Sequence, residues 1–155
     1  MYDKILVPLD GSALAEDVLP HVAEMTSHTK SEVILLQVCL YDQPSEDECL
    51  FPAAIDREAE KCQMAAERMR YLNSVAQRLR KLGFNVRIAV EFGYPAERIV
   101  DYANEHKVSL IAMSTHGRSG ISRWVYGSVA DRVLQAATVP VLLIRSSAAT
   151  QDPSH

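Results

Sequence analysis

The sequence predicts an α/β domain in which a five-stranded parallel sheet, of strand order 3-2-1-4-5, carries helices on both faces. Short apolar runs alternate along the chain with segments whose apolar residues recur every three or four positions, as strands alternate with amphipathic helices. The run at 32–38 (EVILLQV) is apolar almost without interruption, which is typical of a strand covered on both faces. Parallel neighbours need long right-handed crossovers, and the intervening helices supply them.

Composition indicates a soluble domain of ordinary size. The chain has 155 residues, of which 48% are hydrophobic and 23% charged. Its formal net charge of -4 argues against a general nucleic-acid binder, because binding to phosphate backbones requires an excess of Lys and Arg. The longest apolar run falls well short of about 18 residues, so we expect no membrane span. Three cysteines without C-x-x-C spacing are expected to be reduced thiols, and we expect a cytoplasmic location.

The first half of the chain contains two predicted strands and two predicted helices. Strand one covers Lys4–Leu9, and Ser12 is expected to be the N-cap of the helix that follows. Strand two covers Glu32–Val38, and a second long helix runs from about Arg57 to a terminator at Gly83. The predicted buried stripes of the two helices are Ala15, Val18, Leu19, Val22 and Met25, and then Ala65, Met69, Leu72, Ala76 and Leu79. The basic residues between 68 and 81 share this helix with acids such as Glu58, Glu60 and Glu67, which indicates a solvated helix face.

The second half continues the alternation. Strand three is predicted at 84–91, strand four at 108–113 and strand five at 139–144. A third helix begins near Pro95, and its predicted buried side consists of Ala96, Ile99, Val100 and Ala103. Residues 114–126 are rich in Gly and Ser and are expected to form a loop, after which Gly127-Ser128 begins the last helix. We expect the domain to cover residues 1–145 and a frayed tail to cover 146–155.

Two loops are candidates for a ligand site, since ligands of such sheets bind outside the carboxyl ends of the strands. They are Asp10–Ser12 after strand one and 114–128 after strand four. Glycine lets backbone N–H groups approach an anion, and the start of a helix adds unsatisfied N–H donors, which suits a phosphate. An ordinary turn and helix cap explain the same residues equally well. Neither G-x-x-x-x-G-K-[ST] nor the G-x-G-x-x-G dinucleotide motif is present.

Several segments, in order and at matching separations, resemble the universal stress proteins. They are KILVPLDGS at 4–12, GYPA at 93–96, STHG at 114–117 with Gly127-Ser128 nine residues further on, and VPVLLI at 139–144. The resemblance extends from about Asp3 to Arg145. Members that bind ATP carry G-x-x-G, nine residues and then G-[ST], and here Ser114 occupies the position of the first glycine.

The resemblance implies a nucleotide site built from nine residues. Asp10 is implied to contact the ribose or the adenine edge, and Val38 to offer backbone groups to adenine. The remaining residues are implied to line the pocket or hold the phosphates; they are Pro8, Met113, Ser114, Gly117, Gly127, Ser128 and Val129. Two alternatives stay open from the residues themselves: Asp10 can simply begin a turn with Gly11, and Arg118 and Arg123 can either neutralise phosphate or face solvent. His116 is interpreted as an ordinary loop residue.

By the same resemblance we expect a regulatory stress-response protein that binds ATP, AMP or another adenine nucleotide, with Mg²⁺ or Mn²⁺ as candidate companions. It implies a homodimer through strand five, Val139 to Ile144, and an unknown protein partner that reads the nucleotide-bound form. Two alternatives remain, a slow ATPase on the same pocket and an interaction module without nucleotide.

Overall fold

A computed structural model describes residues 1–41, 53–116 and 127–146 of the chain. Five strands and four α-helices alternate along these residues, with a short 3₁₀ helix at Ala15–Val18 before the first α-helix. The strands are β1 (Lys4–Pro8), β2 (Glu32–Cys39), β3 (Asn85–Phe92), β4 (Leu110–His116) and β5 (Val141–Ser146). The helices are α1 (Leu19–Thr26), α2 (Ala53–Lys81), α3 (Pro95–Glu105) and α4 (Ser128–Ala136).

The five strands form one parallel sheet in the order β3-β2-β1-β4-β5, which confirms the predicted fold class. β1 pairs with β2 along its whole length, from Lys4↔Glu32 to Pro8↔Leu36. Its pairing with β4 on the other side is confined to Ile5↔Leu110 and Leu6↔Ile111. The β1–β4 ladder therefore ends before the carboxyl ends of these strands, and a crevice begins there.

Each face of the sheet has its own core. On one face, α1 and α2 cover buried residues that include Val7, Leu35 and Ala112. On the other face, α3 and α4 cover residues that include Leu36 and Met113. Because side chains alternate along a strand, neighbours such as Leu35 and Leu36 serve opposite cores, which explains why β2 is apolar throughout.

The first helix differs from the prediction. Ser12 is not its N-cap: the chain forms the 3₁₀ helix first, and α1 begins at Leu19. Ser12 Oγ instead accepts a hydrogen bond from the N–H of Ala15 at 3.1 Å, so it stabilises the turn before the 3₁₀ helix. Met25 was expected in the buried stripe and is 40% exposed, since Thr26 occupies the inward position at the end of α1.

The long helix begins earlier than predicted and keeps most of its buried stripe. α2 starts at Ala53 rather than near Arg57, and Leu72 and Ala76 are fully buried. Met69 is exposed, contrary to expectation, and the buried Val75 takes part in the core instead. Gly83 follows the last turn with φ +93°, and its N–H bonds to the carbonyl of Arg80, which confirms it as the helix terminator.

The last two strands extend beyond the predicted ends. Ser114, Thr115 and His116 belong to β4 and pair with Ile144, Arg145 and Ser146 of β5, so the first three residues of the predicted loop are part of a strand. Ser146 was assigned to a frayed tail but is the buried last residue of β5, and its hydroxyl donates to the carboxylate of Asp17. Pairing with β4 keeps this small polar residue within the sheet.

Replacing Leu72 with Ala tests the core between α2 and the sheet. Leu72 is fully buried, so the truncation removes apolar contacts and leaves a cavity, at an expected cost of about 2 to 5 kcal/mol in the free energy of unfolding. Urea titration followed by circular dichroism measures this. The matched control is Leu82→Ala at a side chain that is 72% exposed, where we expect a change within about 0.5 kcal/mol. Equal losses in the two variants would contradict the packing described here.

Candidate functional site

A cavity of about 420 Å³ opens at the carboxyl ends of the strands, where β1 and β4 part. Its size is within the range of small-molecule sites, roughly 300 to 1,000 Å³. The lining comes from both faces of the sheet. It consists of Pro8, Leu9, Asp10, Leu14, Ala15, Leu36, Val38, Pro95, Ile99, Met113, Ser114, Thr115, Gly127, Ser128, Val129 and Ala130.

The cavity brings together eight of the nine residues that the resemblance implied. They are Pro8, Asp10, Val38, Met113, Ser114, Gly127, Ser128 and Val129. The ninth, Gly117, lies outside the described residues, as do Arg118 and Arg123. Residues that are more than 100 positions apart in the sequence therefore meet at one opening. The fold alone brings these residues together.

The turn after β1 holds Asp10 by its own hydrogen bonds. Asp10 Oδ1 accepts from the backbone N–H of Ser12 at 2.9 Å and from the Ser12 hydroxyl at 2.6 Å. Gly11 has φ +90°, a conformation that residues with a side chain rarely adopt. Both interpretations of Asp10 are therefore compatible, since the residue shapes this turn and is also an exposed part of the cavity lining.

The floor of the cavity is the end of β4, where successive side chains face opposite ways. Met113 packs into the core under α3 and α4. Ser114 faces the other side, and its hydroxyl donates to the carbonyl of Ala15 at 3.3 Å. The serine at the first motif position is thereby bonded to the 3₁₀ helix, so its added side chain lies on the face opposite to α4.

Thr115 is a lining residue that the sequence reasoning missed. The sequence pattern predicts a loop at this position, yet Thr115 lies in β4 and is 5% exposed. Its Oγ1 makes no hydrogen bond with any part of the chain that the structure describes. The signal available in the sequence was a β-branched hydroxyl residue directly after an apolar strand, which favours strand continuation.

The first turn of α4 supplies backbone donors to the opposite wall. Gly127 is the N-cap with φ −54° and ψ 151°, and as a glycine it has no side chain that could cap the helix. The helix ladder begins with the N–H of Asp131, which donates to the carbonyl of Gly127 at 2.9 Å. The N–H groups of Ser128, Val129 and Ala130 precede that bond and are therefore available to an anion at the helix start.

The other walls are apolar. Leu36 and Val38 lie at the end of β2, and Pro95 and Ile99 at the start of α3. Leu36 is fully buried, and its carbonyl accepts from the N–H of Leu9 at 2.8 Å, which ties the exit of β1 to β2. An apolar cleft with a few convergent polar groups is the usual form of a site for an organic ligand.

Polar side chains of β2 and α2, among them the buried Gln37, lie behind the Gly11 turn. A Cβ on Gly11 would lie 3.7 Å from Gln37 Nε2 and 4.0 Å from Arg68 Nη1. Nearby, burial raises the pKa of the Tyr71 hydroxyl to about 12, and the carboxylates of Glu16 and Asp10 add to the rise. Tyr71 is therefore neutral at physiological pH, so it adds no charge behind the turn.

Together, the fold and the cavity define a doubly wound α/β protein with a candidate ligand site at the topological switch point. The family model described as "Universal stress protein family" matches residues 1–145. The chain belongs to the universal stress protein family. Across the described residues, no helix combines the length and apolar character needed to span a membrane.

Two of the curated relatives match over nearly their whole length. Universal stress protein MJ0577 of Methanocaldococcus jannaschii is 30% identical over 94% of this chain and 96% of its own. YxiE of Bacillus subtilis is 26% identical over 94% of this chain and all of its own. The solved structure of MJ0577 has a TM-score of 0.76 and covers 96% of this chain and 99% of that one. A universal stress protein in complex with cAMP has a TM-score of 0.64 at 20% identity, a likeness of fold alone.

Two substitutions at Asp10 separate its role in the turn from its charge. Asp10→Ala removes the acceptor of both Ser12 bonds, and we expect a loss of about 1 kcal/mol in the free energy of unfolding. Asp10→Asn keeps an oxygen acceptor and should retain most of that stability. Thermal and urea unfolding of both variants measure the difference. If Asn destabilises as much as Ala, the negative charge, rather than the turn bonds, accounts for the loss.

Proposed function

We propose that this protein binds an adenine nucleotide, with ATP as the first candidate, and acts as a regulatory stress-response protein. One observation carries the proposal: eight of the nine residues implied by the resemblance line a single cavity that contains the start of α4 and the Asp10 turn. The fold of a structural relative solved with cAMP is compatible with a ligand of this class, although at 20% identity the likeness concerns the fold alone.

In this proposal the phosphates bind at the start of α4. The N–H groups of Ser128 and Val129 and the hydroxyl of Ser128 donate to phosphate oxygens, and the partial positive charge of the helix start favours the anion. Gly127 brings the chain to this point without a side chain. Gly117, from outside the described residues, belongs to the same proposed set.

The nucleoside binds toward β1 and β2. Asp10 accepts hydrogen bonds from ribose hydroxyls, while Pro8, Val38 and Met113 provide apolar contact and backbone groups for the base. Leu36 and Ile99 extend the apolar surface, so the base replaces water against side chains that cannot hydrogen-bond.

A regulatory role accounts for the chemistry of the cavity better than rapid turnover. Phosphoryl transfer needs a metal-held phosphate and a positioned nucleophile, and the sequence contains no P-loop lysine. Mg²⁺ is commonly held by one or two carboxylates together with substrate phosphates. Asp10 is the carboxylate in the described lining, so Mg²⁺ or Mn²⁺ would enter with the nucleotide and bind largely to its phosphates.

We further propose that the protein forms a homodimer through β5 and that a partner protein recognises the nucleotide-bound dimer. β5 is the last strand of the sheet, and Val141, Leu142, Leu143 and Ile144 are half-buried in the single chain. An apolar strand at a sheet edge is a template for pairing with another strand. A second copy of the chain would cover this edge, and we propose a cytoplasmic setting in which another protein recognises the dimer.

Calorimetry with Gly127→Val tests the nucleotide site. The φ and ψ of Gly127 are accessible to other residues, so the fold should persist, while the valine side chain fills the space proposed for phosphate. We expect heat of ATP binding to the unmodified protein and none to the variant at millimolar ATP.

The matched control is Ala136→Val, which adds a valine at the far end of α4 and should bind ATP normally. Mass spectrometry of small molecules released from freshly purified protein identifies the nucleotide independently. Absence of ATP, AMP and cAMP binding in the unmodified protein would favour an interaction module without nucleotide.

Arg145→Pro tests the β5 dimer. The N–H of Ile111 donates to the carbonyl of Pro140, so even-numbered residues of β5 bond to β4 and the N–H of Arg145 faces the open edge. Proline removes that outward donor, and we expect dimer dissociation in sedimentation velocity. Arg145→Ala keeps the N–H and should remain dimeric. A monomeric unmodified protein at micromolar concentration would refute the proposed dimer.

A further inference from the structure

The hydroxyl of Thr115 is shielded from solvent yet has no hydrogen-bond partner. Four buried side-chain atoms lack a partner within the described residues: Gln37 Oε1, Tyr71 Oη, Arg98 Nε and Thr115 Oγ1. Of these four residues, Thr115 is the one that lines the cavity. Thr115 is therefore a lining residue of the proposed ligand site that carries a buried, unpartnered hydroxyl.

An unpartnered buried hydroxyl is costly, so its presence calls for a physical account. A polar group removed from water without a replacement bond costs about 1 to 3 kcal/mol. Valine has nearly the same shape and is favoured in strands, so β4 itself gains nothing from the hydroxyl at this position. A partner that arrives with a ligand would recover the lost hydrogen bond.

The geometry of β4 indicates which part of a ligand lies near this hydroxyl. Ser114 faces the 3₁₀ helix, so alternation places the side chain of Thr115 on the opposite face, together with Met113. On that face, Val129 and the buried Ala130 form the first turn of α4 and line the same cavity. The backbone donors of that turn and the Thr115 hydroxyl thus lie on the same side of the sheet.

We propose that the hydroxyl of Thr115 donates a hydrogen bond to a phosphate oxygen of the nucleotide bound at the start of α4. The inference rests on the proposed function and deepens it, since it assigns a side-chain donor to the phosphate end of the cavity. Hydrogen bonds from a hydroxyl to an anionic oxygen are shorter and stronger than those between neutral groups. Thr115 therefore favours phosphorylated ligands over the bare nucleoside.

Thr115→Val and Thr115→Ser provide a matched pair for the test. Valine removes the hydroxyl and keeps the branched shape, whereas serine keeps the hydroxyl. Calorimetry with ADP and with adenosine measures the phosphate-dependent part of binding. For Thr115→Val we expect ADP affinity to fall about tenfold or more while adenosine affinity changes less than about twofold. Thr115→Ser should bind ADP within about threefold of the unmodified protein.

Thermal unfolding without ligand gives an independent test, because Thr115→Val should raise the melting temperature while it lowers ADP affinity. Because Thr115→Val relieves the unpartnered hydroxyl, its melting temperature without nucleotide should rise by about 2 to 6 °C. A residue with a merely structural role would lose stability and affinity together. A lower melting temperature in this variant therefore overturns the inference.

The binding outcomes separate this inference from the proposed function. If the unmodified protein binds ADP and Thr115→Val binds it equally well, the phosphate contact is wrong and the proposed function stands. Equal losses for ADP and adenosine place the hydroxyl against the nucleoside and overturn the phosphate assignment. If the unmodified protein binds neither ligand, the proposed function fails, and the inference fails with it.

Discussion

The parting of β1 from β4 is the constraint on which the rest of the site depends. β1 is paired with β2 along five residues but with β4 along two, and the helices that follow β1 and β4 in the chain, α1 and α4, cover opposite faces of the sheet. The carboxyl ends of the two strands therefore form the floor of a crevice whose walls come from opposite faces of the sheet.

The two walls of the crevice differ chemically because they are built differently. On the side of β1, a turn with a left-handed Gly11 and two bonds to Asp10 Oδ1 presents a carboxylate. On the other side, the start of α4 presents backbone N–H groups before its hydrogen-bond ladder begins at Asp131. An acceptor and a set of donors thus face one apolar cavity, an arrangement suited to a ligand with hydroxyls at one end and negative charge at the other.

Much of the fold was predictable because its signals are local. The apolar runs, their alternation with helical periodicity and the terminator at Gly83 indicated the order of elements, and the structure confirms the parallel sheet. Four of the errors concern small polar residues at the end or start of an element. Ser114, Thr115 and Ser146 resemble loop residues in sequence, but pairing between β4 and β5 keeps them in strands. Ser12 resembles a cap, yet a 3₁₀ helix intervenes before α1.

The sequence by itself determined the class of fold, the two segments that carry the candidate site and, through its motifs, eight of the residues that line the cavity. The tertiary structure decided which way those residues face. In β4 a shift of one position exchanges the two faces of the sheet, so Ser114 is bonded to Ala15 while Thr115 turns toward α4. The hydrogen-bond partner of such a hydroxyl can lie about 100 residues away in the chain, as Ala15 does for Ser114. Local sequence patterns cannot predict a contact between residues so far apart.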